Sequence, residues 1–119
     1  MLEYIILFVN NPEESAKFYA RLLDLKPVEE SPTFVLFALP NGLNLGLWSR
    51  HTAQPQVTAP PGGSDIGFTE PDVASVEKLH AKWRDMGVTI ALAPMAMDGL
   101  SSAFLALDPD GHRIRVVAL

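Results

Sequence analysis

The feature that most constrains this chain is an internal duplication, in which two consecutive segments repeat the same order of strand, helix and turn signals. Asn11 of the first segment corresponds to Asp72 of the second, and both stand where a helix N-cap is expected. Other correspondences are Tyr4 with Asp65, Lys17 with Lys78, Ala20 with Ala81, Asp24 with Asp85, and Pro40-Asn41-Gly42 with Pro109-Asp110-Gly111. Such a chain is expected to form two similar halves.

The first half reads as one strand, one helix and three further strands. The apolar, β-branched run at 4–9 predicts a buried strand. Asn11 then caps a helix in which Pro12 suits the first turn and the apolar spacing extends to Leu23. Three strands are predicted after it, at Lys26 to Glu29, Thr33 to Leu39 and Leu43 to Ser49, with Pro40-Asn41-Gly42 as the hairpin turn.

The second half repeats this order. A strand at 65–69 precedes a helix capped by Asp72 and ended by Gly87. The apolar stripe of that helix is Val73, Val76, Leu79, Trp83 and Met86. Strands are predicted at Val88 to Leu92, Ser102 to Leu107 and His112 to Ala118, with Asp108-Pro109-Asp110-Gly111 as the turn between the last two.

Between the halves, the segment 50–63 is rich in proline and glycine, which favours a linker over a packed element. We therefore predict a single α+β domain over residues 1–119, made of two βαβββ modules. Module one covers 1–49, the linker 50–63 and module two 64–119.

Composition excludes several classes of protein. The net charge of -5, with no stripe of Lys and Arg, makes a nucleic acid an unsuitable partner. Without cysteine there is no disulfide, no thiolate zinc site and no cysteine nucleophile. The apolar run at 4–9 is far shorter than the roughly 18 residues that a membrane span needs. We expect a soluble, cytoplasmic protein that has no membrane partner.

Two motifs carry a resemblance to a known superfamily. The opening strand with Ser15-Ala16-Lys17-Phe18-Tyr19, and the late turn Asp108-Pro109-Asp110-Gly111-His112, resemble those of the vicinal oxygen chelate proteins, which include glyoxalases, bleomycin resistance proteins and extradiol dioxygenases. The resemblance covers essentially the whole chain. It implies that the two modules form a cup-shaped mixed sheet around a ligand.

Metal-dependent members of that superfamily place His or Gln on the first strand of each half and a carboxylate on the last. The matching positions here hold Tyr4, Gly46, Asp65 and Arg115, of which only Asp65 is an ordinary metal ligand. The three histidines, His51, His80 and His112, fall on a linker, a helix and a turn. We expect no metal, no cofactor and no catalytic residue.

Within the superfamily the chain is similar to phenazine antibiotic resistance proteins. The shared features are Trp48-Ser49 at the end of the first half and the run 108–116 at the end of the second. The resemblance implies a non-catalytic protein that sequesters a planar aromatic compound such as a phenazine-type antibiotic. A metal-dependent glyoxalase or dioxygenase is the enzymatic alternative, and a subunit or regulatory module without a small ligand is a third.

Candidate ligand-binding residues follow from this hypothesis. Trp48, at the end of an apolar strand, would either stack on a flat ligand or pack in the core. Met95 and Met97, expected in a loop, would line an adaptable surface or pack loosely. Asp98 would present a carboxylate or belong only to an Asp-Gly turn.

Five further candidates depend on which strand face points at the ligand. Arg115 alternates with apolar neighbours, so it would hold a ligand carboxylate or remain a solvated charge. The aromatic candidates are Tyr4 and Phe8 on one face of the first strand, and Phe37 and Phe104 at comparable places in the two halves. Each of them would line the cup or pack in the core.

The long linker also bears on assembly. It would let one half pair with the opposite half of a second chain, and exchange of identical elements is an easy route to a dimer. We therefore expect a homodimer, with domain swapping as one way to form it. Aromatic lining of the cup would favour the binding protein, carboxylates and imidazoles the enzyme, and a filled cup the structural module.

Overall fold

The computed structural model describes all residues from Met1 to Leu119 and divides them into two compact units, Met1–Ala59 and Pro60–Leu119. Each unit contains one helix and one four-stranded mixed sheet, so the predicted α+β class with two βαβββ patterns is confirmed. The division between the units falls inside the proline-rich segment 50–63. Neither helix has the length and apolar character that a membrane crossing requires.

Unit 1 contains strand β1 (Tyr4–Val9), helix α1 (Pro12–Leu23), and strands β2 (Glu29–Glu30), β3 (Phe34–Ala38) and β4 (Asn44–Ser49). The strand order across the sheet is β1-β4-β3-β2, with β1 parallel to β4 and the other neighbours antiparallel. Helix α1 covers one face, where Tyr19, Phe37 and Leu47 are fully buried. This helix-covered face is the core of the unit.

Unit 2 repeats the plan with β5 (Asp65–Thr69), α2 (Val73–Asp85), β6 (Thr89–Met97), β7 (Leu100–Leu107) and β8 (Arg113–Ala118). Its strand order is β5-β8-β7-β6, and β5 is parallel to β8. Trp83 of α2 lies edge-on to Phe68 and Phe104, at ring-centroid distances of 5.7 and 5.4 Å. Trp83 is therefore a core residue, as its place in the helical stripe predicted.

The predicted turns have the expected geometry. Gly42 has φ +89°, and the side chain of Asn41 accepts a hydrogen bond from the backbone N–H of Leu43 at 3.0 Å. In the second unit the buried side chain of Asp108 accepts hydrogen bonds from the backbone N–H groups of Asp110 and His112, both at 2.9 Å. Both hairpins thus have their register set by a polar side chain inside the turn.

Two strand predictions need correction. The strand expected at 26–29 is only the pair Glu29–Glu30, because Pro27 lacks the N–H that a ladder requires. The loop expected around Met95 and Met97 is instead the end of β6, which continues to Met97. Register shifts between Ile90 and Met97 accommodate Pro94 within this edge strand.

Asn11 caps α1, since its side-chain oxygen accepts hydrogen bonds from the backbone N–H groups of Glu13 and Glu14 at 3.1 and 3.2 Å. Replacing Asn11 by Ala leaves those two donors without this partner, and we expect the free energy of unfolding to fall by about 1 kcal/mol. Urea unfolding followed by circular dichroism measures the change. The control Asn11→Ser keeps a capping oxygen, so a loss as large as that of Asn11→Ala would contradict this role.

Asp72 caps α2 through a hydrogen bond of 2.8 Å from the backbone N–H of Ser75. That bond, with a second from the Ser75 hydroxyl, holds the pKa of Asp72 below its ordinary value of 3.8. A lowered pKa stabilises the fold above the unfolded-state value, and this contribution disappears as the pH falls through the folded-state value. We therefore expect the stability difference between wild type and Asp72→Ala to shrink below pH 3.8, while that of Asn11→Ala stays constant. Equal pH dependence for the two variants would refute the assignment.

Candidate functional site

The face of the first sheet opposite α1, here called the helix-free face of unit 1, carries three aligned rows of side chains across β1, β4 and β3. The strand register sets these rows as Phe8, Trp48 and Phe34, then Ile6, Gly46 and Leu36, and finally Tyr4, Asn44 and Ala38. In the first row the ring of Trp48 lies 5.9 Å from that of Phe8 and 6.4 Å from that of Phe34. The half-buried indole is thus held between two aromatic neighbours.

Gly46 lies at the centre of these rows, and its lack of a side chain shapes the surface. A Cβ atom built on Gly46 would be 2.5 Å from Cδ1 of Ile6 and 3.0 Å from Cζ of Phe34. The glycine therefore lets these two apolar side chains close over the middle of the sheet. A carboxylate side chain at this position has no room unless both neighbours move.

A pocket of about 530 Å³ opens on this face. Its lining consists of Tyr4, Ile6, Phe34, Leu36, Asn44 and Trp48. Small-molecule sites commonly measure about 300 to 1,000 Å³ and combine apolar walls with a few polar groups. Here the phenol of Tyr4 and the amide of Asn44 are the polar groups among apolar and aromatic side chains.

The corresponding helix-free face of unit 2 carries a group of charged side chains. Asp65 on β5 accepts a hydrogen bond of 2.6 Å from Nε of Arg113 on one carboxylate oxygen and another of 2.6 Å from Nε of Arg115 on the other. Nη1 of Arg115 also lies 3.7 Å from the sulfur of Met97. We call Asp65, Arg113 and Arg115 the arginine–aspartate cluster.

Burial of Asp65 by itself raises the pKa of its carboxyl. The hydrogen bonds and positive charges of Arg115 and Arg113 together outweigh this effect and hold the pKa below its ordinary value. Asp65 is consequently ionised at neutral pH. The cluster then combines two positive charges with one negative charge.

Three of the sequence-predicted residues share the helix-free face of unit 1. Tyr4 and Trp48 line the pocket, and Phe8 lies beside Trp48. Tyr4 is largely exposed, whereas Trp48 and Phe8 are half-buried. The sheet register therefore brings these three candidates together.

Phe37 and Phe104 do not lie on this face, and their burial favours the alternative that they pack in the core. Both side chains have no exposed surface and lie on the helix-covered faces of their sheets. Phe104 packs against His80 and Trp83 of α2, at centroid distances of 5.3 and 5.4 Å. Strand alternation places them on the face opposite the one that stays accessible.

The remaining candidates lie in unit 2. Met97 contacts Arg115, while Met95 pairs with Ala103 and is half exposed. Asp98 and Gly99 form the β6–β7 hairpin turn, with positive φ angles of 39° and 82°. A tight two-residue hairpin turn requires positive φ angles at both of its central residues. The Asp98-Gly99 pair meets this requirement, which favours the alternative that Asp98 belongs to a turn.

Four pocket residues and one arginine were not predicted from the sequence: Ile6, Phe34, Leu36, Asn44 and Arg113. The sequence of the first hairpin does allow its strand register to be predicted. If Asn41 is taken as the centre of the turn, residues equally far from it on the two strands are partners, which pairs Phe34 with Trp48 and Phe37 with Leu45. That count places Phe34 on the Trp48 face and removes Phe37 from it. Arg113 is two residues from Arg115, and strand alternation alone places both side chains on one face.

The residues at the superfamily's metal-ligand positions do not fit a metal. In unit 1 these positions hold a phenol, Tyr4, and Gly46, whose surroundings are filled. In unit 2 they hold Arg115, a permanent cation, and Asp65, whose two oxygens already bind arginines. No group of three or more His, Asp or Glu side chains is arranged to hold a metal ion.

The chain is similar over nearly its whole length to proteins of known sequence or structure. EhpR, a phenazine antibiotic resistance protein of Enterobacter agglomerans, is 31% identical over 116 residues, which cover 96% of this chain and 88% of that protein. The solution NMR structure of protein ATC0852 from Agrobacterium tumefaciens is 44% identical, with a TM-score of 0.91 over 100% of this chain and 97% of that one. A glyoxalase-related enzyme from Fulvimarina pelagi, 23% identical, has a TM-score of 0.85 and covers 100% and 88% of the two chains, which shows a shared fold.

A family model also matches the chain over residues 1–116, nearly its full length. The duplicated strand and helix order, the mixed sheets and the late Asp-Pro-Asp-Gly turn agree with that match. The chain therefore belongs to the glyoxalase/bleomycin resistance protein/dioxygenase superfamily.

Proposed function

We propose that this protein binds a planar aromatic compound of the phenazine type on the helix-free face of unit 1 and releases it unchanged. The observation that carries the proposal is the half-buried Trp48, held between Phe8 and Phe34 at the wall of a pocket of about 530 Å³. By sequestering such a compound, a cytoplasmic protein of this kind would protect its host from an antibiotic.

The energetics favour a flat apolar guest. Removing apolar surface from water contributes about 25 cal/mol per Å², and aromatic stacking adds about 0.5 to 1.5 kcal/mol. Because Trp48 is already held by two rings, it loses little side-chain freedom when a ligand stacks on it. Tyr4 and Asn44 at the other end of the pocket would orient a polar substituent of the ligand.

The relationship to EhpR supports the same class of ligand, since that protein is described as a phenazine antibiotic resistance protein. The absence of fitting metal ligands supports binding without chemistry, because the superfamily's enzymes use an open metal position to polarise substrate oxygens. The proposal also includes a homodimer in which the connection at 50–63 permits exchange of halves between chains.

We expect Trp48→Ala to weaken binding of phenazine by about 1 to 3 kcal/mol, or about tenfold or more, because a stacking surface is lost. Isothermal calorimetry on wild type, Trp48→Ala and Trp48→Phe measures this difference. Trp48→Phe keeps an aromatic ring and should fall between the other two. Circular dichroism checks that all three proteins are folded.

Fluorescence provides an independent reading, because the chain has only two tryptophans. In Trp83→Phe the emission comes from Trp48 alone, and phenazine should quench it. No quenching up to the solubility limit would refute the proposal in favour of a module without a ligand. Consumption of the ligand, followed by chromatography, would refute it in favour of an enzyme.

We further expect the purified protein to retain no stoichiometric transition metal, since Asp65 is engaged by two arginines and Gly46 offers no donor. Elemental analysis after dialysis should find well under one metal ion per chain. Added Zn²⁺, Ni²⁺ or Mn²⁺ should leave the phenazine affinity unchanged. One tightly held ion per chain would instead support the metal-dependent enzyme.

A further inference from the structure

We propose that Asn44 determines which planar aromatics the pocket of unit 1 prefers, and that the preferred class is uncharged compounds with a carboxamide at one end of the ring system. This inference rests on the proposed function and adds to it a requirement for the ligand's substituent. All the residues that carry it belong to unit 1.

The pocket changes in character along β4. Trp48, Gly46 and Asn44 share one face of that strand, so one end of the pocket is aromatic, the middle is apolar and the other end is polar. A strand rises about 3.3 Å per residue, which separates Trp48 from Asn44 by about 13 Å. Three fused rings, one substituent and a hydrogen bond span a similar length. A ligand that stacks on Trp48 and lies along β4 therefore brings its terminal substituent to Asn44.

Between these two ends the pocket offers no polar side chain. Ile6 and Phe34 close over Gly46 in the middle of the sheet, and Leu36 completes the apolar surface. The rings of the ligand would contact hydrocarbon there, which suits any flat aromatic compound equally well. Discrimination among such compounds is therefore left to the polar end of the pocket.

The side-chain amide of Asn44 is available for that recognition. Asn44 is half-buried, and its amide oxygen and nitrogen have no hydrogen-bond partner in unit 1. An asparagine side chain both donates and accepts, so a primary carboxamide can pair with it through two hydrogen bonds. The neighbouring Tyr4 is 62% exposed, so its phenol stays hydrated and contributes less to selectivity.

Unit 1 supplies no opposite charge for an anionic ligand in this pocket. None of the six lining side chains is charged. Arg50 follows β4, but its Nη2 donates to the carbonyl oxygen of Ala59 at 3.5 Å. An ionised carboxylate would lose hydration in the pocket without gaining an ion pair, and its oxygens only accept hydrogen bonds, which leaves the oxygen of Asn44 unmatched. The uncharged carboxamide is therefore the better ligand.

Calorimetric titration with phenazine, phenazine-2-carboxamide and phenazine-2-carboxylate tests this inference, because position 2 lies at the end of the long axis of the rings. Wild type should bind the carboxamide about tenfold more tightly than phenazine, as expected for two neutral hydrogen bonds, and also more tightly than the carboxylate. Asn44→Leu keeps a side chain of similar size without polar atoms. In this variant the affinities for phenazine and the carboxamide should come within about twofold of each other.

Two matched variants serve as controls. Gln56→Leu removes an exposed amide outside the pocket and should preserve the preference for the carboxamide. Arg50→Gln removes the positive charge that follows β4 and should leave the order of the three affinities unchanged. In NMR spectra the side-chain NH₂ signals of Asn44 should shift with the carboxamide and much less with phenazine.

The outcomes separate this inference from the proposed function. If wild type binds phenazine as tightly as the carboxamide, or binds the carboxylate most tightly, the inference is overturned and the aromatic site stands. A preference for the carboxamide that survives in Asn44→Leu also overturns it. Failure of wild type to bind any of the three compounds overturns the proposed function as well.

Discussion

Each unit has a single helix packed on one four-stranded sheet, and this arrangement determines which side chains of the sheet are buried. A single helix covers one face, so alternate residues of every strand are left on the other face. Burial of Phe37 and Trp83 holds the covered side together. The uncovered side is then free to differ between the units without loss of the core, and it is there that the two halves have diverged.

The divergence is clearest in one pair of neighbouring positions. In unit 1 the pair is Ile6 beside Gly46, and in unit 2 the equivalent pair is Gly67 beside Arg115. The glycine of this pair lies on the last strand, β4, in unit 1 and on the first strand, β5, in unit 2. The first sheet consequently has an apolar floor, whereas the second carries a guanidinium next to open space.

Short-range signals predicted most of the fold, because caps and turns act over a few residues. Asn11, Asp72 and Gly42 all have the conformations that their positions suggested. It was harder to predict which side chains of a strand face the helix and which face away from it. Phe34 and Phe37 lie on opposite faces of the same short strand, and only the register of the hairpin distinguishes them. The double ion pair of Asp65 depends on the parallel β5–β8 pairing between distant segments, which local pattern does not reveal.

Of the four edge strands, β1, β2, β5 and β6, two have features that oppose self-association, namely β2 and β6. An exposed strand edge can template the addition of another chain. The β2 edge consists of only two residues, both glutamates, and the longer β6 edge is interrupted by register shifts and by Pro94. At β2 and β6 an added strand therefore finds no long, regular row of free amide and carbonyl groups to pair with.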